Sequence, residues 1–348
     1  MGNKNSNVSY TANRADISIL RIVSTFAVVM IHTCNTITNN LDFFNPTSLQ
    51  YRTLVTFNSL SNWSVPMFFM LTGALLLKRD KEITFKDCIR KYAIRILLSL
   101  IIFGVPFAWL EIFVETRKVS LDLFIDGFAR VLSGNSWGHL WYLYELIGIY
   151  LVLPVIKAFT DRTTKKDTQI FLLILFLFNL FVQTFNSISP AIGFYLPIRT
   201  SAVFYLVLGR YLDEEIPRII YKRKCLLLIL AIVAVISISF FVSEHASVVL
   251  GYSSPVTALM VVAIFCCAKG CNFGYKNILW KIDRLCYAVY LVHPVFTNLV
   301  YKFFKVTPLI FGNVIIAGII AFWLLFVMCG FICSKVLNMI PLLRNKVL

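Results

Sequence analysis

Four ionisable side chains interrupt stretches that are otherwise apolar. Arg21 and His32 lie in ISILRIVSTFAVVMIHTCN, Glu145 in HLWYLYELIGIYLVLP, and His293 in YLVHPVF. Charged or titratable groups in such surroundings are costly to bury and mark functional positions. A histidine titrates near neutral pH, so it can take a proton from a reacting hydroxyl and return it. A carboxylate such as Glu145 can orient or charge-stabilise an imidazole. Arg21 and His32 are eleven residues apart. On a helix that is about three turns, which puts both on nearly one face and about 16 Å apart. Two further cations, Lys91 and Arg95 in RKYAIRILLS, are four apart and share a helical face. Paired cations at a membrane mouth suit a polyanionic ligand. The simpler readings are that Arg21 snorkels to headgroups and that Lys91 and Arg95 anchor a helix end.

The elements that hold these residues follow from composition. Of 348 residues, 59% are hydrophobic and 14% charged, and the mean hydropathy is +0.79. Soluble domains carry about 25% charged residues. The apolar residues fall in blocks long enough to span a bilayer. The chain therefore reads as an all-α polytopic membrane protein with about ten transmembrane helices. The spans are 16–37, 54–77, 92–114, 138–158, 169–186, 198–212, 224–243, 250–268, 284–303 and 313–337. The second has a polar first half, TFNSLSNWS, and reads as lining protein or water. Residues 1–348 form one integral-membrane domain, with tails at 1–15 and 338–348.

Charge sets the expected direction. With the N-terminus in the cytoplasm, 24 of the 33 Lys and Arg lie on cytoplasmic segments or adjoining helix ends, and 6 lie outside. Arg21, Arg95 and Arg199 lie within spans. This is the positive-inside distribution and predicts both termini in the cytoplasm, in a multi-pass protein of the cell membrane. It also accounts for the net charge of +16 without nucleic acid. In this topology Arg21 sits near the cytoplasmic face, His32 in the outer half, and His139 at the outer edge with Glu145 deeper. Trp137, Trp141 and Tyr142 fit an aromatic belt. Outer segments 38–53 and 115–137 are short lids at most.

Other signals are discounted. The 9 cysteines are scattered, and only Cys34 falls near an outer surface, so no extracellular disulfide framework is expected. Cys266, Cys267 and Cys271 fit no zinc spacing, and no metal site is expected. The first apolar block is as long as a span and is read as uncleaved. MGNKNS formally matches a myristoylation pattern but adds nothing to a chain anchored by its spans. No tandem repeat is evident.

These motifs resemble acyltransferase family 3, membrane-bound acyltransferases of cell-envelope carbohydrates. The resemblance rests on Arg21 and His32 in RIVSTFAVVMIH, Phe68, Phe69, Thr72 and Gly73 in SVPMFFMLTGALLL, and the basic pair Lys91 and Arg95. HLWYLYELIGIYLVLP and YLVHPVF are similar to two further family signatures. Together the matches run in order from residue 16 to about 296. Thr72 stands where the family has Ser, and the proline that often follows the basic pair is absent. The resemblance is to the stand-alone form. It implies transfer of an acyl group, usually acetyl, from acyl-CoA bound on the cytoplasmic side to a hydroxyl of a glycan or lipid-linked sugar, with no resident cofactor. It further implies that Arg21, Lys91 and Arg95 hold donor phosphates and that His32 is the general base. Glu145 as an orienting carboxylate is our reading beyond the family motif. Thr72, His139, His293 and Arg199 are expected to support the site. The competing function is export or flipping of a polysaccharide or lipid-linked intermediate, which needs neither a CoA phosphate site nor an arm-length spacing between cation and base.

Overall fold

The computed structural model describes residues 14–39, 48–116, 121–189, 193–196, 200–214, 216–243, 246–271 and 277–348. Among these every regular element is a helix. Backbone N–H and C=O groups in a bilayer must be satisfied within the segment, and a helix does this locally. The principal helices are α1 (Ala15–Thr38), α2 (Leu49–Ser59), α3 (Ser64–Leu76), α4 (Ile94–Thr116), α5 (Leu121–Leu132), α6 (Trp141–Arg162), α7 (Lys165–Phe176), α8 (Ser201–Glu214), α9 (Arg218–Phe241), α10 (Pro255–Lys269), α11 (Asn277–Asp283), α12 (Cys286–Asn298), α13 (Ile315–Leu337) and α14 (Pro341–Lys346). Six helical stretches are long and apolar enough to cross a membrane: Ala15–Thr38, Phe85–Phe113, Gly138–Arg162, Lys165–Ile188, Arg218–Phe241 and Pro308–Leu337. The chain is a multi-pass membrane protein.

The chain divides into two compact units. The first comprises 1–78 and 164–334, the second 79–163 and 335–348. In the first, α1 is flanked by α2, α3, α11 and α12. A core of Val29, Met30, Cys34, Ile37, Leu54, Val289, Tyr301, Ile319, Phe322 and Phe326 joins α1, α2, α12 and α13. Two long-range hydrogen bonds fix α1 there. Tyr301 Oη donates to the Thr33 carbonyl at 3.1 Å, and Trp323 Nε1 donates to the Phe26 carbonyl at 2.9 Å. In the second unit α5 lies along α4. Gly127 permits this approach, because a Cβ there would sit 3.3 Å from the Trp109 amide nitrogen.

Two differences from the sequence reading have local causes. The range 54–77 is not one helix but α2 and α3 with turns at 60–63. Ser and Asn side chains compete for backbone groups there. Ser61 Oγ donates to the Phe57 carbonyl, Ser64 Oγ to the Ser61 carbonyl, and Asn62 Nδ2 to the Leu250 carbonyl. The segment 115–137, expected to be a short lid, contains α5, an amphipathic helix. Phe124, Ile125, Phe128 and Leu132 form an exposed apolar face, while Gly127 and Val131 are buried.

Candidate active site

The site builds up along α1. Arg21 Nη1 lies 2.7 Å from both carboxylate oxygens of Asp283, the last residue of α11. Ser18 Oγ donates to Asp283 Oδ2 at 2.9 Å. Asp283 retains 9% side-chain exposure and Arg21 31%. The carboxylate is the more withdrawn partner, so removing Arg21 would leave Asp283 largely shielded from water and uncompensated.

One face of α1 then carries the eye to His32, whose ring lies 5.0 Å from that of His293, centroid to centroid, with planes tilted by 56°. His293 is fully enclosed, and His32 keeps part of its surface accessible. His293 Nδ1 is 3.0 Å from the Val289 carbonyl. A carbonyl only accepts, so Nδ1 carries the proton, and in the neutral ring Nε2 holds the lone pair. Pro294 has no N–H to give its helix and fixes the local backbone after His293. The Tyr290 ring lies 6.3 Å from that of His293. On the other side Gly330 of α13 leaves room, since a Cβ there would meet Val289 Cγ1 at 3.1 Å.

Arg21 and Asp283 meet at one level, His32 and His293 at another. His32 follows Arg21 by eleven residues and His293 follows Asp283 by ten. The two chain segments therefore run parallel, and the rise per residue carries both from the ion pair to the imidazole pair together.

Thr72 is half-buried, and its hydroxyl donates to the Phe68 carbonyl within α3 at 2.8 Å. Gly73, next to it, is where α3 meets α8. A Cβ on Gly73 would overlap the Leu206 carbonyl, and one on Gly209 would overlap the Met70 carbonyl.

Lys91, Arg95, His139 and Glu145 lie in the second unit. Lys91 is exposed and pairs with Asp87 at 2.7 Å. It sits in a π-helical turn, Cys88–Ala93, so the angle between it and Arg95 departs from the regular i,i+4 value. Arg95 is also exposed, and its Nε donates to the Val347 carbonyl at 3.0 Å. His139 is buried, with the Phe107 and Trp137 rings each 6.2 Å away. Glu145 is exposed on α6. Arg199 lies outside the described residues. Among the described residues no group of histidine, cysteine and carboxylate side chains is arranged to hold a metal ion.

A second ionic cluster joins helix ends in the first unit. Arg14 contacts Asp16 at 2.8 Å and Asp213 at 2.6 Å, and Lys269 contacts Asp213 at 2.6 Å. Burial pushes the Asp213 carboxyl up. The hydrogen bonds from Arg14 and Lys269, together with their charge, outweigh this and hold it below the usual carboxylate range.

Sequence reasoning missed Asp283 and Ser18. A signal for Asp283 was present: an acid ten residues before a histidine, in DRLCYAVYLVH, matches a base eleven residues before a histidine in α1.

No curated protein and no solved structure compared with the chain gives a match. The profile of one family, described as an acyltransferase domain, matches residues 14–334, a range that takes in the ion pair, the imidazole pair and nearly the whole chain. With that match laid over the geometry of α1, the chain belongs to acyltransferase family 3 and is a membrane acyltransferase.

Proposed function

We propose that the protein is an integral-membrane O-acyltransferase of the cell membrane. It moves an acetyl group from cytoplasmic acetyl-CoA to a hydroxyl of a cell-envelope glycan or lipid-linked sugar. The observation that carries this reading is the pairing along α1, with a cation at one end and a partly accessible imidazole at the other. The two are separated by about 16 Å of helix rise, close to the length of an extended phosphopantetheine arm. Acyl-CoA is a substrate, and no resident cofactor is invoked. The ten spans with both termini cytoplasmic belong to this reading, as does a single membrane domain over 1–348 surrounded by lipid.

In the proposed reaction His32 takes the proton of the acceptor hydroxyl as its oxygen attacks the thioester carbonyl. The C–O bond forms, the C–S bond breaks, and the CoA thiolate leaves with the proton that His32 gives up. His293 faces His32 and orients it, with Nδ1 tied to Val289. A positioned general base contributes about a hundred- to ten-thousandfold in rate. Arg21 contacts a donor phosphate. Lys91 and Arg95 are each proposed as phosphate contacts, Glu145 as an orienting carboxylate, and Thr72, His139 and Arg199 as supports, every one to be tested by itself.

The test uses membranes carrying wild type, His32→Ala or His32→Gln at matched expression, supplied with acetyl-labelled acetyl-CoA. Label in an alkali-labile ester of the glycan or lipid fraction is expected for wild type alone. Equal ester formation by the Gln variant removes His32 as base. No transfer by wild type from any acyl-CoA overturns the donor assignment.

A further inference from the structure

Asp283 places both carboxylate oxygens on a single nitrogen of Arg21, Nη1, and Ser18 holds Asp283 from a second direction. A guanidinium has five N–H donors on three nitrogens. Among the described residues Nε and Nη2 of Arg21 make no hydrogen bond. The arginine is thus held at one nitrogen and open at two, with 31% of its side chain accessible. The same pair joins α1 to the segment that leads, ten residues on, to His293. One turn farther along α1, Thr25 lies beside Cys286 at the start of α12, its hydroxyl donating to the Arg21 carbonyl and the thiol to the Ile282 carbonyl.

We propose that Asp283 is a positioning residue of the acyl-transfer site. It orients Arg21 so that Nε and Nη2 receive a phosphate of the donor, and it clamps α1 to α11 and α12 in the register that brings His32 to His293. The first half rests on the reading of Arg21 as a donor contact; the second does not. A carboxylate beside an anion site also repels the anion. If Asp283 were merely a counter-ion that the donor displaces, its removal would tighten donor binding. A positioning role gives the opposite sign.

The experiment measures binding of unlabelled CoA to purified full-length wild type, Asp283→Asn, Asp283→Ala, Arg21→Ala and the Arg21→Ala/Asp283→Ala double variant. Acetyl-transfer kinetics are recorded alongside. Asp283→Ala is expected to weaken CoA about ten- to a hundredfold, the range for a lost hydrogen bond to a charged group. Asp283→Asn keeps an acceptor and the side-chain shape, so it carries the test if Asp283→Ala does not fold, and it should weaken CoA less, by about three- to tenfold. The double variant should be no worse than Arg21→Ala, because the two residues act as one unit. Unchanged or tighter CoA binding in Asp283→Asn and Asp283→Ala overturns the orienting role. The register is read independently of any ligand: Thr25→Cys, oxidised with a thiol-specific oxidant, should cross-link to Cys286, with the bond located by peptide mapping. Asp283→Asn and Asp283→Ala should lower that yield severalfold. An undiminished yield overturns the clamp. Failure of wild type to bind CoA strikes the donor reading, and the orienting half with it, while the cross-link still decides the clamp.

Discussion

The imidazoles of His32 and His293 face each other at 5.0 Å, one on α1 and one on α12, with His293 Nδ1 committed to the Val289 carbonyl. A ring held this way presents one defined nitrogen to its surroundings, which suits a group that orients another base. His32→Gln should lower turnover about a hundred- to ten-thousandfold, and His293→Gln by a smaller factor of roughly ten to a hundred. The double variant should lose little more than His32→Gln alone, because residues that act as a unit are not additive. Multiplied losses in single-turnover rates would show that the two histidines work independently.

Gly73 and Gly209 let α3 and α8 approach backbone to backbone, as small residues do between membrane helices. Gly73→Ala and Gly209→Ala should each destabilise the fold by about 1–3 kcal/mol, the usual range for overpacking. Gly148, with open space around its Cβ position, is the control. Gly148→Ala should leave thermal stability in detergent unchanged or slightly raised. Equal melting of all three variants would remove the close-approach argument.

Lys91 and Arg95 should each contribute to CoA affinity rather than to the chemical step. Lys91→Ala and Arg95→Ala are expected to weaken CoA binding about ten- to a hundredfold. Asp87→Ala releases Lys91 from its 2.7 Å partner and should leave binding unchanged or modestly tighter. Affinities like wild type in both alanine variants would make the two cations helix-end anchors only.

Asp213 joins Arg14 and Lys269, each at 2.6 Å. Its carboxyl is held below the usual range, so the folded state favours the carboxylate more than the unfolded chain does. Such stabilisation is present above the unfolded pKa and is lost as pH falls through the lower, folded one. Asp213→Asn should therefore cost about 1.5–3 kcal/mol near neutral pH. Its melting temperature should converge with that of wild type as the medium is acidified below the ordinary carboxylate range. A gap that stays constant with pH would assign the loss to packing.

Much of the chain was legible without coordinates, for reasons that are local. Apolar block length predicts membrane helices, and among the described residues six helical stretches are long and apolar enough to cross a membrane. The helical repeat places Arg21 and His32 on one face of α1, because 3.6 residues per turn is a property of the backbone. The break inside 54–77 was hinted at by TFNSLSNWS, whose serines and asparagines compete with the helix for backbone hydrogen bonds. The amphipathic spacing of Phe124, Ile125, Phe128 and Leu132 is equally readable, within the segment that the sequence predicts as a short lid.

What only the tertiary structure decided is which helices stand side by side and at what axial offset. Neither helical periodicity nor hydropathy carries that information. It arises from close approach at positions such as Gly73 against Leu206 and Gly330 against Val289, and from long-range bonds such as Tyr301 to Thr33. Asp283 is 262 residues from Arg21, yet the parallel packing of α1 with α11 and α12 makes it the partner of that arginine. The same packing gives His32 a histidine as its neighbour. Residue types and spacing along one helix determined the chemistry that this chain can offer; the axial register between two helices decided which groups share it, because side-chain pairing across helices depends on the summed packing of whole surfaces.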